Sequence, residues 1–132
     1  MFQRSMFACI SILLICMVKA NADEQVVDRK FALANVQNAN SAKVKAGEKV
    51  YKARCALCHG ESGQGDGRMS KVIKNPPPFD LTESVMPVEY LQLIVSNGGE
   101  PVGRSPQMPP WNDELTDTEL ESVVLYIHGL RN

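Results

Sequence analysis

Five consecutive residues, Cys55-Ala56-Leu57-Cys58-His59, limit what this chain can fold around. Cysteines three apart lie on one face of a helical turn, and Cys-x-x-Cys-His is the spacing of covalent haem attachment. Each sulfur can form a thioether with one of the two haem vinyl groups, and the imidazole one residue on can turn toward the iron. A redox dithiol of the thioredoxin kind needs a βαβ setting, which the sequence lacks, and it gives His59 no role. A structural zinc site needs two further ligands at paired spacing, and the only other histidine is His128. The motif therefore assigns one haem c, held through Cys55 and Cys58, with His59 as an iron ligand.

The start of the chain reads as an export signal. Arg4 supplies a positive end, Met6 to Val18 is apolar apart from Ser11, and Ala20-Asn21-Ala22 has the small-residue pattern of a cleavage site. The 13-residue apolar run is short of the ~20 that a membrane span requires, so no transmembrane anchor is expected after cleavage at Ala22. Cys9 and Cys16 leave with this segment, and the mature chain keeps only the two motif cysteines. Without disulfides, residues 23–132 must rely on their core, to which a buried haem adds apolar surface. Losing Arg4 and Lys19 leaves 12 basic against 15 acidic residues, a formal charge of −3. That balance does not suggest nucleic-acid binding.

The expected organisation is a signal peptide over 1–22, an extension over 23–40 and a single haem domain over 41–132. In the extension, Val27 and Phe31 have helical spacing, but Asn35, Asn38 and Asn40 weaken it, leaving either a helix or a loose arm. Ser41 is a candidate N-cap for a helix to Arg54, with Val44, Gly47, Val50 and Tyr51 as its stripe. Gly47 costs such a helix ~1 kcal/mol against alanine, which points to close approach of another helix. Gly60 to Gly67 is a glycine-rich loop, Ser70 to Lys74 a short helical turn, and Asn75-Pro76-Pro77-Pro78 cannot be helical. Pro87 to Asn97 reads as a helix with Val88, Leu91, Ile94 and Val95 on one face, ended by Gly98-Gly99. Thr116 and Glu119 form a capping box for a last helix, whose stripe is Leu120, Val123, Val124 and Ile127. No strand pattern competes.

These residues resemble the class I c-type cytochromes, in particular the small bacterial ones, over roughly 42–130. The likeness rests on Gly47 and Tyr51, on Cys55-Ala-Leu-Cys58-His59-Gly60, and on the stretch through Gly63, Gly65, Asp66 and Gly67. It continues with Pro76-Pro77-Pro78 and with Met108-Pro109-Pro110-Trp111 ahead of a final helix carrying Tyr126. The resemblance implies an all-α cytochrome c fold of about four to five helices, with long loops wrapped around one covalent haem. It also implies that attachment takes place outside the cytoplasm, hence a periplasmic location.

Met108 is the first candidate for the second axial ligand. It lies 49 residues beyond His59 in a proline-stiffened loop, which reduces its unfolded freedom. Met69 has only a short path around the porphyrin, Met86 reads as a core filler, and His128 suits a helix C-terminus. An open or water-bound site is the remaining option. By resemblance a proline carbonyl accepts the His59 Nδ1 hydrogen, with Pro77 first and Pro76 or Pro78 as neighbours. Arg104 and Trp111 are candidates to contact a propionate, or else ordinary loop residues.

The resemblance implies an electron-transfer protein and not an enzyme. The leading expectation is a soluble monomeric carrier, taking electrons from a membrane complex or dehydrogenase and passing them to an oxidase or reductase. The alternative is a cytochrome subunit of a larger respiratory oxidoreductase complex. A haem enzyme or gas sensor would need an open sixth position, and a peroxidase would need an acid–base group beside it. The loop around Met108 offers none within a few residues.

Overall fold

A computed structural model describes the backbone of residues 3–131 and the side chains of residues 29–131. It is all-α, with no strand among the described residues. Four α-helices run in chain order: α1 (Gln3–Arg54), α2 (Ala56–His59), α3 (Val88–Asn97) and α4 (Asp117–His128). Single 3-10 turns occupy Arg68–Lys71, Leu81–Glu83 and Glu100–Val102. The chain divides into two compact units, Met1–Ala39 and Asn40–Asn132.

In the first unit the expected choice between helix and loose arm resolves as helix. Ser41 is not an N-cap, because α1 is already helical before it. Neither glycine nor proline interrupts the sequence between Gln3 and Gly47, and each asparagine costs a helix only a fraction of a kcal/mol. The side chains of residues 29–39 are all exposed, Phe31, Leu33 and Val36 included. The reading of 1–22 as an export signal falls on side chains outside the described residues. Among the described residues no helix is long and apolar enough to cross a membrane.

The second unit is built on the crossing of α1 with α4. Gly47 is buried there, and any Cβ on it would collide with the Ser122 carbonyl of α4. One turn on, Tyr51 is fully buried, its ring 5.2 Å from that of Tyr126. Its hydroxyl donates to the Gly60 carbonyl at 2.8 Å. Val44, expected in the same stripe, is instead exposed. The α4 capping box forms as expected: the Thr116 hydroxyl accepts from the Glu119 N–H, and the Glu119 carboxylate accepts from the Thr116 N–H. Leu120, Val123, Val124 and Ile127 then enter the core with Leu91 and Val95 of α3. Pro87 caps α3, and Gly98 ends it with φ near 80°.

Candidate haem site

The break between α1 and α2 presents the Cys-x-x-Cys-His motif. Cys55 sits at that break, and its carbonyl accepts the amides of Cys58 (3.1 Å) and His59 (2.9 Å), which places the cysteines one turn apart. Both thiols are free and both line one large cleft. Burial, with a smaller contribution from Cys58, pushes the Cys55 thiol up to about 12. Thiol–disulfide exchange needs an accessible thiolate, so Cys55 is poorly suited to attack a disulfide.

His59 is oriented from behind. Its Nδ1 lies 3.1 Å from the carbonyl of Phe79, and since a carbonyl only accepts, Nδ1 carries the hydrogen and Nε2 keeps a free lone pair. Burial lowers the imidazole's pKa from its ordinary value, opposed by the Phe79 carbonyl. Burial favours the neutral imidazole that a metal ligand needs, and the bond to Phe79 fixes which nitrogen is free.

The partner is Phe79, not the expected Pro77. The glycine loop folds back on α2, with Gly65 N–H bonded to His59 O at 2.8 Å. It also presses on the proline run, since a Cβ on Gly65 would lie 2.5 Å from the Pro78 carbonyl oxygen. The Leu81 amide is tied to Gly63 O at 2.6 Å. With Pro78 facing the glycine loop, the Phe79 carbonyl is the one left to face the imidazole. Pro76, Pro77 and Pro78 still line the cleft.

Met108 lines the same cleft from the loop after α3. That loop is pinned to the end of the helix. Gly99 N–H donates to Met108 O at 2.9 Å, and Trp111 N–H donates to the carbonyls of Val95 and Ser96 at 3.1 and 3.2 Å. Gly98 has no room for a side chain: a Cβ would lie 2.8 Å from Met108 O and 2.9 Å from Pro110 N. Trp111 is half-buried in the cleft wall. Arg104 sits at the rim, its guanidinium 5.9 Å from the centroid of the Phe79 ring.

All seven residues singled out from the sequence (Cys55, Cys58, His59, Pro77, Arg104, Met108 and Trp111) therefore line one cleft. Of the alternative ligands Met86 also lines it, whereas Met69 and the exposed His128 do not. Phe79 escaped sequence reasoning because its contribution is a backbone carbonyl. Leu91, Ile94, Val95 and Ile127, read as core stripes, also face the cleft.

These residues fit a metalloporphyrin. The walls are mostly aliphatic, aromatic and proline. The donors are an imidazole nitrogen, a thioether and two thiols, a set suited to haem iron and its vinyl groups. Among the described residues no group of three or more His, Cys, Asp or Glu side chains is placed to hold a bare ion.

Residues 42–127 match the family described as cytochrome c oxidase, cbb3-type, subunit III. The chain belongs to that family. It is a c-type cytochrome, and membership implies covalently bound haem c and an electron-transfer role. Among curated proteins this cytochrome is 31% identical over 109 residues to the cbb3-type cytochrome c oxidase subunit CcoP of Azospirillum sp. (strain B510), covering 81% of the chain and 35% of that protein. To the subunit FixP of Azorhizobium caulinodans it is 28% identical over 110 residues, covering 80% and 33%. The chain thus spans about a third of the length of the curated relatives it matches. Among solved structures it is similar to the reducing HAO-like protein complex of Kuenenia stuttgartiensis, with a TM-score of 0.55 and 32% identity over 65% of this chain and 41% of that one.

Proposed function

We propose that residues 41–132 form a one-electron relay that would hold a single haem c through thioethers at Cys55 and Cys58, with His59 and Met108 as the residues that would bind its iron. The observation that supports this reading most is the shared cleft, lined by His59 from α2 and by Met108 from the loop after α3. When bound, the haem supplies an iron that takes up and gives back one electron.

The chain's own residues set the terms. The Phe79 carbonyl holds the His59 ring and raises the basicity of its free nitrogen. A soft Met108 sulfur would favour the reduced metal and raise its potential. Because His59 and Met108 both sit on pinned segments, these two residues would have little to rearrange on passing an electron and would leave no open position for water or dioxygen. That arrangement serves electron passage and not substrate turnover. Trp111 is a polar group at hand for a propionate, while the Arg104 guanidinium stands over the Phe79 ring.

The relay works as a cytochrome subunit of a larger respiratory oxidoreductase complex, outside the cytoplasm, after export directed by residues 1–22. The relatives named as oxidase subunits favour this over a free monomeric carrier.

The test is the ferric spectrum of the purified holoprotein. The weak sulfur-to-iron charge-transfer band should be present, should vanish in Met108→Ala, and should survive in Met86→Leu and Met69→Leu. Its survival in Met108→Ala would reject Met108 as ligand. Gel filtration of native extract tests the complex: elution only at the mass of the free chain would reject the subunit reading.

A further inference from the structure

We propose that Arg104 and Phe79 form a clasp that ties the segment carrying Met108 to the segment that orients His59, so that both are positioning residues for the site. This rests on the axial-ligand reading above and deepens it. The Arg104 guanidinium stands 5.9 Å from the Phe79 ring centroid, within the range of a cation–ring attraction. The same Phe79 offers its carbonyl to His59 Nδ1 at 3.1 Å.

Arg104 is joined to Met108 through one glycine. Gly99 accepts the Arg104 N–H at 2.8 Å and donates its own N–H to the Met108 carbonyl at 2.9 Å. A short series of contacts therefore runs from Met108 through Gly99, Arg104 and Phe79 to His59. Among the described residues Arg104 makes no ion pair, and the Phe79 ring is the partner of its guanidinium. Loss of either half of the clasp frees the methionine loop from the proline segment, and the site becomes easier to open from the Met108 side.

The test is optical titration of the ferric holoprotein with imidazole, which must displace the Met108 sulfur to bind. Arg104→Gln and Phe79→Leu keep every backbone contact and lie at the exposed rim. Each should raise imidazole affinity about 2- to 5-fold, the worth of an exposed cation–ring pair. Each should also lower the midpoint potential. The double variant should exceed neither single by more than error, because one contact is lost only once. An effect of Arg104→Gln with none of Phe79→Leu overturns the proposal, since the guanidinium then acts elsewhere, for instance on a propionate. Additive effects, or no effect in either variant, overturn it too. Wild-type protein lacking the sulfur-to-iron band would overturn the ligand reading itself, and the clasp with it.

Discussion

Gly47 of α1 lies against the backbone of Ser122 in α4 with no room for a methyl group. A Cβ there would overlap the Ser122 carbonyl and come within 2.9 Å of the Val123 nitrogen. Backbone atoms cannot swing aside as side chains do, so the helices would have to part. Gly47→Ala should gain ~1 kcal/mol in helix propensity and lose about 3 kcal/mol to overpacking. A net loss of about 2 kcal/mol should appear in urea unfolding of the holoprotein, and a more stable variant would contradict the crossing described above.

The two cysteines should be separable. Cys55→Ala and Cys58→Ala each leave one sulfur able to form a thioether. Either single variant should therefore retain pigment in acidified organic solvent, with a shifted ferrous absorption band. The double variant should release it. Retention by the double variant would show attachment through some other residue.

Tyr51→Phe removes a buried hydroxyl and leaves the Gly60 carbonyl without its 2.8 Å partner. The expected loss is about 1–2 kcal/mol near neutral pH. Burial raises the Tyr51 pKa well above its ordinary value of 10.0, so the folded hydroxyl stays protonated where the unfolded one ionises. The folded state then binds the extra proton, and its stability falls as pH rises above 10. The gap between wild type and Tyr51→Phe should narrow over that alkaline range in unfolding midpoints; a constant gap would contradict it.

Acid should act on α4 through its cap. The Glu119 carboxyl is held below its ordinary 4.5 by the Thr116 amide and, next, the Thr116 hydroxyl. A depressed carboxyl stabilises the fold above its unfolded pKa, and that support is lost as pH falls through the folded value. Wild type should thus lose more stability than Glu119→Gln when acidified from 4.5 downward. Thermal midpoints of the two proteins across that window are the measurement, and parallel curves would count against the cap's charge.

Residues whose role is local were legible in the sequence. The Thr116–Glu119 box, the glycine at the α1–α4 crossing and the glycine stop of α3 all follow from stereochemistry within a turn or from a side chain that cannot be present. The contents of the cleft were legible because cysteine and histidine are scarce and one methionine sits in a proline-stiffened loop ahead of the last helix. The reach of α1 was not, since nothing marks a helix start when neither a breaker nor a cap occurs. The Phe79 carbonyl was not either, because every residue has one and only the press of Gly65 on Pro78 selects it. The α3 stripe was half legible: its apolar face was plain, but not that part of it borders a cleft.

The bond from His59 to Phe79 spans twenty residues of chain. The pentapeptide at 55–59 is therefore not a portable module. Grafted alone onto a host helix, it would bring the sulfurs and the imidazole but leave the ring free to rotate. To keep the ring oriented, a graft would have to bring Tyr51, the glycine loop and the proline run through Leu81 along with the motif.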